Sequence, residues 1–237
     1  MGESTERARG PVWARDAAKP RSALTREAIV TAGLAIADAE GLDAVSIRRV
    51  AAELGARTMS LYTHIGSKED LLDLMADEAA AEVLVPGELP GDWREALTVI
   101  ARREREAVRR HPWMIELVSR RSVVGPNMLR HVEQTMSALS GLDLPIEGKF
   151  HVIAAVNDYS SGFVLREARE RMAPRRDGWT DAERDAFMRP YLQRLIDTGE
   201  FPNLAPLMKD GIPSTDDNFE RGLRWLLDGI ARDLGRG

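Results

Sequence analysis

The segment 46–68, SIRRVAAELGARTMSLYTHIGSK, constrains the fold of this chain more than any other stretch. Four of its apolar residues recur with the spacing of one buried helical stripe: Ile47, Val50, Ala51 and Leu54. Ser46 stands just before the stripe, where a hydroxyl can accept a hydrogen bond from a free N–H of the first turn. Gly55 follows it, where a left-handed residue ends a helix. The pattern predicts a short helix followed by a tight turn.

A second short helix is predicted at 58–64. Leu61 and Ile65 point inward, and the remaining side chains are mostly small or hydrogen-bonding: Thr58, Ser60, Tyr62, Thr63 and His64. Two helices around a tight turn, with a polar face on the second, form a helix-turn-helix, and its second helix lies in the DNA major groove. The segment therefore predicts DNA binding.

A longer run resembles the DNA-binding domain of the tetracycline-repressor (TetR) family of bacterial regulators: LTREAIVTAGLAIADAEGLDAVSIRRVAAELGARTMSLYTHIGSKEDLLDLM. The shared pattern is E-G-L-D-A-V-S after a first helix, a helix ending in L-G, an L-Y-x-H recognition helix, and S-K-E-x-L-L opening a fourth helix. This match covers about residues 24–83. The rest is similar in outline to the family's helical regulatory half through WREAL, RHPW and FERGLRWLLDGIA. The resemblance implies an all-α protein with an N-terminal three-helix helix-turn-helix DNA-binding domain and a C-terminal helical ligand-binding and dimerisation domain.

Three parts are predicted along the chain: a flexible N-terminal arm at 1–22, a DNA-binding domain at 23–70 and a regulatory domain at 71–237. The first helix spans 25–40 with four residues inward: Ile29, Ala32, Ile36 and Ala39. The fourth helix begins at the cap Ser67, contains the domain boundary and ends before Pro86. Further helices are predicted at 92–110, 113–119, 126–139, 146–172, 181–198 and 216–234, with loops at 174–179 and 201–214. On the helix at 126–139 the apolar residues are Met128, Leu129, Val132, Met136 and Leu139.

The distribution of charge along the chain agrees with a DNA-binding domain at the N-terminal end. The net charge is −5, yet residues 1–68 hold ten Lys and Arg against eight Asp and Glu, and the remainder holds 23 against 30. The more basic end is the end with the helix-turn-helix. Five basic residues of the arm could reach a minor groove or phosphates, or simply belong to a solvated leader: Arg7, Arg9, Arg15, Lys19 and Arg21. The chain has no cysteine, no signal-peptide pattern and no apolar run of transmembrane length, so a cytoplasmic protein is expected.

Base contacts are predicted at the start of the second helix. Thr58, Met59 and Ser60 open it, and the N-terminal residues of a recognition helix meet base edges. Met59 or a threonine methyl group can contact a thymine methyl, and Arg57 can bond guanine or pair with a phosphate.

The resemblance adds contacts around this helix. Arg48 resembles a position from which family members read a base or a phosphate, and Arg49 is either a phosphate contact or part of a solvated face. Tyr62, His64 and Lys68 resemble the family's phosphate contacts, to which the N-terminus of the fourth helix adds N–H groups. Packing is the alternative for Tyr62 and His64, and capping for Ser46. The complete set of predicted DNA contacts is Ser46, Arg48, Arg49, Arg57, Thr58, Met59, Ser60, Tyr62, Thr63, His64 and Lys68.

The regulatory half is expected to form a homodimer and to bind a small-molecule effector, both as implications of the resemblance. Its helices at 146–172 and 216–234 are the dimer candidates. The candidate pocket residues are Trp93, His111, Trp113, Met114, Met128, Met136, Asn157, Asp158 and Tyr159. Methionine suits an adaptable apolar pocket, but a methionine or aromatic residue at helical spacing more often belongs to a core. Asn157 and Asp158 are expected to be buried, and buried polar groups need partners on a neighbouring helix or on the other subunit.

The predicted function is that of a repressor that binds a pseudo-palindromic operator in double-stranded DNA and is released by an effector, with no metal, no cofactor and no membrane partner. The alternatives are a ligand-independent DNA-binding activator and a helical protein–protein adaptor. An enzyme is not expected, because the chain lacks G-x-S-x-G, H-E-x-x-H and phosphate-binding glycine motifs. Its four histidines also lack metal-ligand spacing: His64, His111, His131 and His151.

Overall fold

The computed structural model describes residues 24–120, 124–172, 180–206 and 218–235, and no residue in these ranges lies in a β-strand. The helices are α1 (Arg26–Glu40), α2 (Ile47–Glu53), α3 (Thr58–Leu61), α4 (Lys68–Ala81), α5 (Trp93–Arg110), α6 (Trp113–Arg120), α7 (Pro126–Ala138), α8 (Ile146–Met172), α9 (Asp181–Asp197) and α10 (Asn218–Leu234). The predicted all-α class is confirmed. None of the described helices combines the length and apolarity needed to cross a bilayer. The predicted arm at 1–22, the loop at 174–179 and most of the loop at 201–214 lie outside the described residues.

The predicted caps position the helix-turn-helix. Ser46 Oγ accepts a hydrogen bond from the Arg49 N–H at 3.1 Å, and Ser67 Oγ accepts one from the Asp70 N–H at 3.0 Å. Gly55 has φ +60°, the left-handed conformation expected after α2. Because these signals are local, they fix the ends of α2 and α4 without help from the rest of the fold.

The recognition helix is shorter than predicted. Helix α3 ends at Leu61, and 62–64 form a turn. The reason is a change in hydrogen bonding: the N–H of His64 bonds the carbonyl of Leu61 at 2.9 Å, three residues back, and Thr63 Oγ1 donates to the carbonyl of Ser60 at 2.7 Å. Such bonds tighten a helix terminus.

The first hydrophobic core belongs to the DNA-binding half. Its fully buried side chains include Ile29, Val50, Leu61, Leu71 and Met75 on α1 to α4, and Val45 in the segment between α1 and α2. Trp113, Met114 and Leu117 of α6 are part of the same cluster, so α6 packs on the DNA-binding half. The inward position predicted for Ala39 is wrong: the buried stripe of α1 runs through Gly33 and Ala37, which turns Ala39 outward.

The second core lies in the regulatory half, between α5, α7, α8 and α10. Its buried members are Leu97, Ile100, Ala101, Leu139, Val152, Ile153, Val156, Phe219, Leu223 and Leu227. Two of the apolar residues of α7, Leu129 and Val132, are exposed and take no part in this core. Helix α7 instead turns the buried Thr135 toward the protein, with His131 one turn before it half-buried. A polar stripe of α7 therefore faces the interior.

Helix α4 joins the two halves. Leu71, Met75 and Val83 belong to the first core, whereas the end of the α4 segment is bonded by the regulatory half. Arg103 Nη2 donates to the carbonyl of Glu82 at 2.6 Å. The side chain of Gln134 bonds both the N–H and the carbonyl of Val85, at 2.9 and 2.8 Å. The sequence predicts a domain boundary within α4. This boundary would fall in a segment that has contacts with both halves.

Candidate functional sites

A polar surface covers the outer side of the helix-turn-helix. Leu61 and Ile65 are 0 and 2 % exposed and hold α3 against the first core. On the opposite side Met59 is 74 % exposed and Tyr62 is 46 % exposed. Four further predicted contacts are exposed: Arg48, Arg57, Ser60 and Thr63. The remaining five are half-buried: Ser46, Arg49, Thr58, His64 and Lys68. We call the eleven residues together the α3 surface.

The chemistry of the α3 surface suits the edge of a DNA groove. Met59 is an apolar side chain held in water, and contact with a thymine methyl would remove it from water. The exposure of Tyr62 favours DNA contact over the packing alternative. His64 is half-buried, and its carbonyl accepts from Arg26 Nε at 3.5 Å, so it also ties α1 to the recognition segment. These assignments to DNA remain predictions.

Arg49 has partners within the protein that the sequence analysis missed. Its guanidinium bonds Glu53 Oε2 and Glu40 Oε1, each at 2.7 Å. The pairing joins the end of α1 to α2 and competes with a phosphate contact. The four-residue spacing from Arg49 to Glu53 is a helical ion-pair signal that could have been read from the sequence.

The N-terminus of α4 is arranged as a favourable place for an anion. Lys68 is the first residue of this helix, and the positive end of the helix dipole lies at the same terminus. The Asp70 N–H is already bonded to the Ser67 cap, and Asp70 Oδ2 accepts from the Gly66 N–H at 3.1 Å. Lys68 and the remaining first-turn N–H groups are thus the donors available for a phosphate.

The regulatory half contains a cleft of about 360 Å³ between the start of α5 and the end of α7. Ten residues line it: Leu89, Pro90, Gly91, Asp92, Trp93, Ser137, Ala138, Ser140, Gly141 and Leu142. Its volume falls within the range of small-molecule sites. Of the nine predicted pocket residues, Trp93 is the one that borders this cleft, with the Arg94 guanidinium 4.8 Å from its ring centre.

The other predicted pocket residues do not converge with Trp93. His111, Trp113 and Met114 are buried where α6 meets the DNA-binding half, while Met128 and Met136 are half-buried on α7. The Tyr159 hydroxyl donates to the carbonyl of Phe219 at 2.8 Å and ties α8 to α10.

The burial expected for Asn157 and Asp158 is wrong for the single chain: both are exposed. Their neighbours Val156 and Ser160 face inward, and the period of α8 turns Asn157 and Asp158 to the other side.

Three buried side-chain atoms have no hydrogen-bond partner within the described part of the chain: Nε2 of His111, Nδ1 of His131 and Oγ of Ser160. His131 Nε2 lies 3.1 Å from Glu104 Oε1, across from α7 to α5. Buried polar atoms in folded proteins are nearly always bonded, so unbonded ones indicate where water or a ligand binds. Glu104, His131 and Ser160 were not predicted as site residues, because nothing in the sequence pattern of their helices shows which polar side chain turns inward.

Comparison with known proteins identifies matching families in both halves. Residues 29–75 match the family model described as bacterial regulatory proteins, tetR family, and residues 85–234 match the tetracyclin repressor-like, C-terminal domain. The chain is 36 % identical to the HTH-type transcriptional repressor DrrR1 of Streptomyces coeruleorubidus, over 89 % of this chain and 78 % of the relative. It is 30 % identical to an HTH-type transcriptional regulator of Saccharopolyspora erythraea, over 98 % of this chain and 96 % of the relative. The crystal structure of the Streptomyces coelicolor protein ActR in complex with actinorhodin is similar, with a TM-score of 0.73 and 32 % identity over 89 % of this chain and 96 % of that one.

Proposed function

This chain belongs to the TetR family of bacterial regulatory proteins, a family of DNA-binding transcriptional regulators, and we propose that it is a homodimeric repressor released from its operator by a small-molecule effector. The observation that carries the proposal is the exposed α3 surface above the buried Leu61 and Ile65. That arrangement holds a helix rigidly and leaves its polar side free for a groove. The same function places the protein in the cytoplasm, with the DNA.

The first residues of α3 contact the bases, and residues around α3 position the protein on the DNA backbone. Thr58, Met59 and Ser60 face base edges, with Arg57 beside them in the turn. Tyr62 and Lys68 bond phosphates, which fixes the register without selecting sequence.

Dimerisation is required because one short helix reads too few base pairs to be selective. A two-fold dimer reads a pseudo-palindrome with its recognition helices about 34 Å apart. Helices α8 and α10 supply a suitable surface, since Ile146, Phe150 and Trp225 are large apolar side chains that are each more than half exposed. Exposed apolar residues of this size are typical of an association surface.

The effector is proposed to bind in the regulatory half between α5, α7 and α8. Glu104 and His131 offer polar atoms between α5 and α7, and Nδ1 of His131 and Oγ of Ser160 on α8 have no bond within the described part of the chain. The similar protein ActR binds actinorhodin, so actinorhodin is the first ligand to try. An effector releases DNA only to the extent that it binds the released state more tightly than the DNA-bound state. Operator and effector must therefore lower each other's affinity by the same factor, and unequal equilibrium factors would contradict release by this linkage.

The spacing of the operator tests the dimer. Footprinting on the DNA upstream of the protein's own gene locates two half-sites about one helical turn apart. An insertion of five base pairs between them turns the half-sites to opposite faces of the duplex. We expect affinity to fall roughly 100-fold or more, toward non-specific binding. The same insertion placed outside the half-sites is the control. Unchanged affinity after the central insertion would show that a rigid dimer does not read the site.

A further inference from the structure

A buried histidine connects the DNA-binding half to the regulatory half. His111 follows α5 and is 5 % exposed. Its Nδ1 lies 2.7 Å from Asp38 Oδ1 on α1, and its Nε2 lies 3.3 Å from Glu82 Oε1, just past α4. Each ring nitrogen therefore faces a carboxylate from a different element. We call these three residues the His111 bridge.

The surroundings of the bridge come from every element packed around it. Trp113 Nε1 on α6 donates to the same Asp38 oxygen at 2.7 Å, whatever the pH. From α5, Arg110 pairs with the Glu82 carboxylate and Arg103 donates to the Glu82 carbonyl. The Nε2 atom is buried and makes no hydrogen bond, although Glu82 Oε1 lies 3.3 Å away. The contact to Asp38 is thus made, while the contact to Glu82 is close but incomplete.

The protonation state of the imidazole decides which contacts can form. A neutral ring has a single N–H, and the short contact to Asp38 takes it. Nε2, which is itself buried, then presents a lone pair to the half-buried Glu82 carboxylate, so two acceptors face each other. A doubly protonated ring has two N–H donors and can bond both carboxylates with charge-assisted hydrogen bonds. A second proton on the ring thus gives each carboxylate a donor.

We propose that His111 is a positioning residue whose protonation fixes the DNA-binding half against the regulatory half. The imidazolium links α1 through Asp38 to the end of the α4 segment through Glu82. The neutral form keeps the contact with Asp38 and lacks the bond to Glu82, whose carboxylate stays paired with Arg110. The orientation of α1 and α4 is then less restricted, and operator binding has to restrict it again. The consequence for DNA rests on the proposed function, whereas the bridge itself does not.

Hydrogen exchange of the full-length protein, without DNA, tests the bridge. Exchange rates of α1 are compared from about pH 5.5 to 8, within the range over which histidine usually changes charge, after correction for intrinsic rates. We expect α1 to be about tenfold better protected at the low end, the size of one charge-assisted hydrogen bond. His111→Gln should show the weaker protection at every pH. Glu82→Gln keeps His111 and its contact with Asp38, and it should also remove the pH dependence. His151→Gln, at an exposed position on α8, is the matched control and should behave as wild type.

DNA affinity is measured on the same proteins with DNA from upstream of the protein's own gene. We expect wild type to lose several-fold more affinity than His111→Gln between pH 5.5 and 8, because other groups near phosphates titrate equally in both. Identical exchange profiles for wild type and both bridge variants would overturn the proposal. A pH-dependent bridge with no specific DNA binding would instead refute the proposed function and leave the bridge standing. Specific DNA binding with one pH profile for all variants would show that the bridge does not position the DNA-binding half.

Discussion

Gly125 has no side chain at the place where the Asp77 carboxylate caps helix α7, and a Cβ at position 125 would overlap that carboxylate. Asp77 lies on α4, is 6 % exposed and accepts from the N–H groups of Asn127 and Met128 at 2.9 and 3.0 Å. Helix α7 has no capping side chain at its own N-cap. A carboxylate some 50 residues earlier in the chain supplies the cap, so α4 and the start of α7 are bonded as one unit.

Gly125→Ala should destabilise the protein through this cap. The new methyl group displaces the Asp77 carboxylate, which costs about 1–2 kcal/mol for the cap, and more if the core is strained. We expect the free energy of unfolding in urea to fall by roughly 2–3 kcal/mol. Gly141→Ala is the control, because a Cβ there meets no atom within 4 Å and the backbone φ is not positive. Equal stability of the two variants would show that the contact with Asp77 carries no energy.

Acid stability should depend on Glu167. Burial alone would raise the pKa of this carboxyl, but hydrogen bonds and charges of Arg109 and Arg105 outweigh burial and hold the pKa at about 2. The unfolded value is about 4.3, so Glu167 stabilises the fold at neutral pH and this contribution is lost as the pH falls from about 4.5 to about 2. We expect Glu167→Gln to lower the free energy of unfolding at pH 7 by about 2–3 kcal/mol, with the difference shrinking toward pH 2. Glu133→Gln, at an exposed position on α7, should follow wild type throughout. A constant difference between Glu167→Gln and wild type across the acid range would contradict this pKa.

Lys68 should act on all DNA sequences alike. If its ammonium group bonds a phosphate, Lys68→Ala weakens specific and scrambled DNA by the same factor. The slope of log affinity against log salt then becomes shallower by about one unit, because one fewer counterion is released. Lys149→Ala on α8 removes a lysine from the regulatory half and should leave the slope unchanged. A selective loss on specific DNA would assign Lys68 to base reading instead.

Arg57 has two possible roles that one conservative change separates. A lysine can still pair with a phosphate but cannot form the bidentate bond of arginine to guanine. We expect Arg57→Lys to relax the preference at one base pair by about 1–3 kcal/mol in binding measurements on single-base operator variants. An unchanged preference, with only the salt dependence affected by Arg57→Ala, would make Arg57 a phosphate contact.

Short-range signals in the sequence were sufficient for the helix-turn-helix. Ser46, Gly55 and Ser67 act on backbone groups within a few residues, so their roles can be read from spacing alone. Long-range partners could not be predicted in this way. His111 meets Asp38 across 73 positions and Asp77 meets Asn127 across 50, and no periodicity encodes such pairs.

The orientation of the helices in the regulatory half could not be predicted from the sequence either. Asn157 and Ser160 occupy the same amphipathic helix, and which of them is buried depends on how α8 lies against α5. The predicted pocket residues therefore dispersed over the cleft, α7, the α8–α10 contact and the junction with the DNA-binding half. Nδ1 of His131 and Oγ of Ser160, which were not predicted as site atoms, are left without bonds in the described part of the chain, as is Nε2 of His111.

The most direct test of specific operator recognition is fluorescence anisotropy of the purified protein on DNA from upstream of its own gene, with a scrambled competitor and a salt series. The proposed function predicts tight binding that resists the competitor and weakens steeply with salt. Equal, weak binding to both DNAs would contradict operator recognition by the α3 surface, and it would favour a protein partner for the same fold.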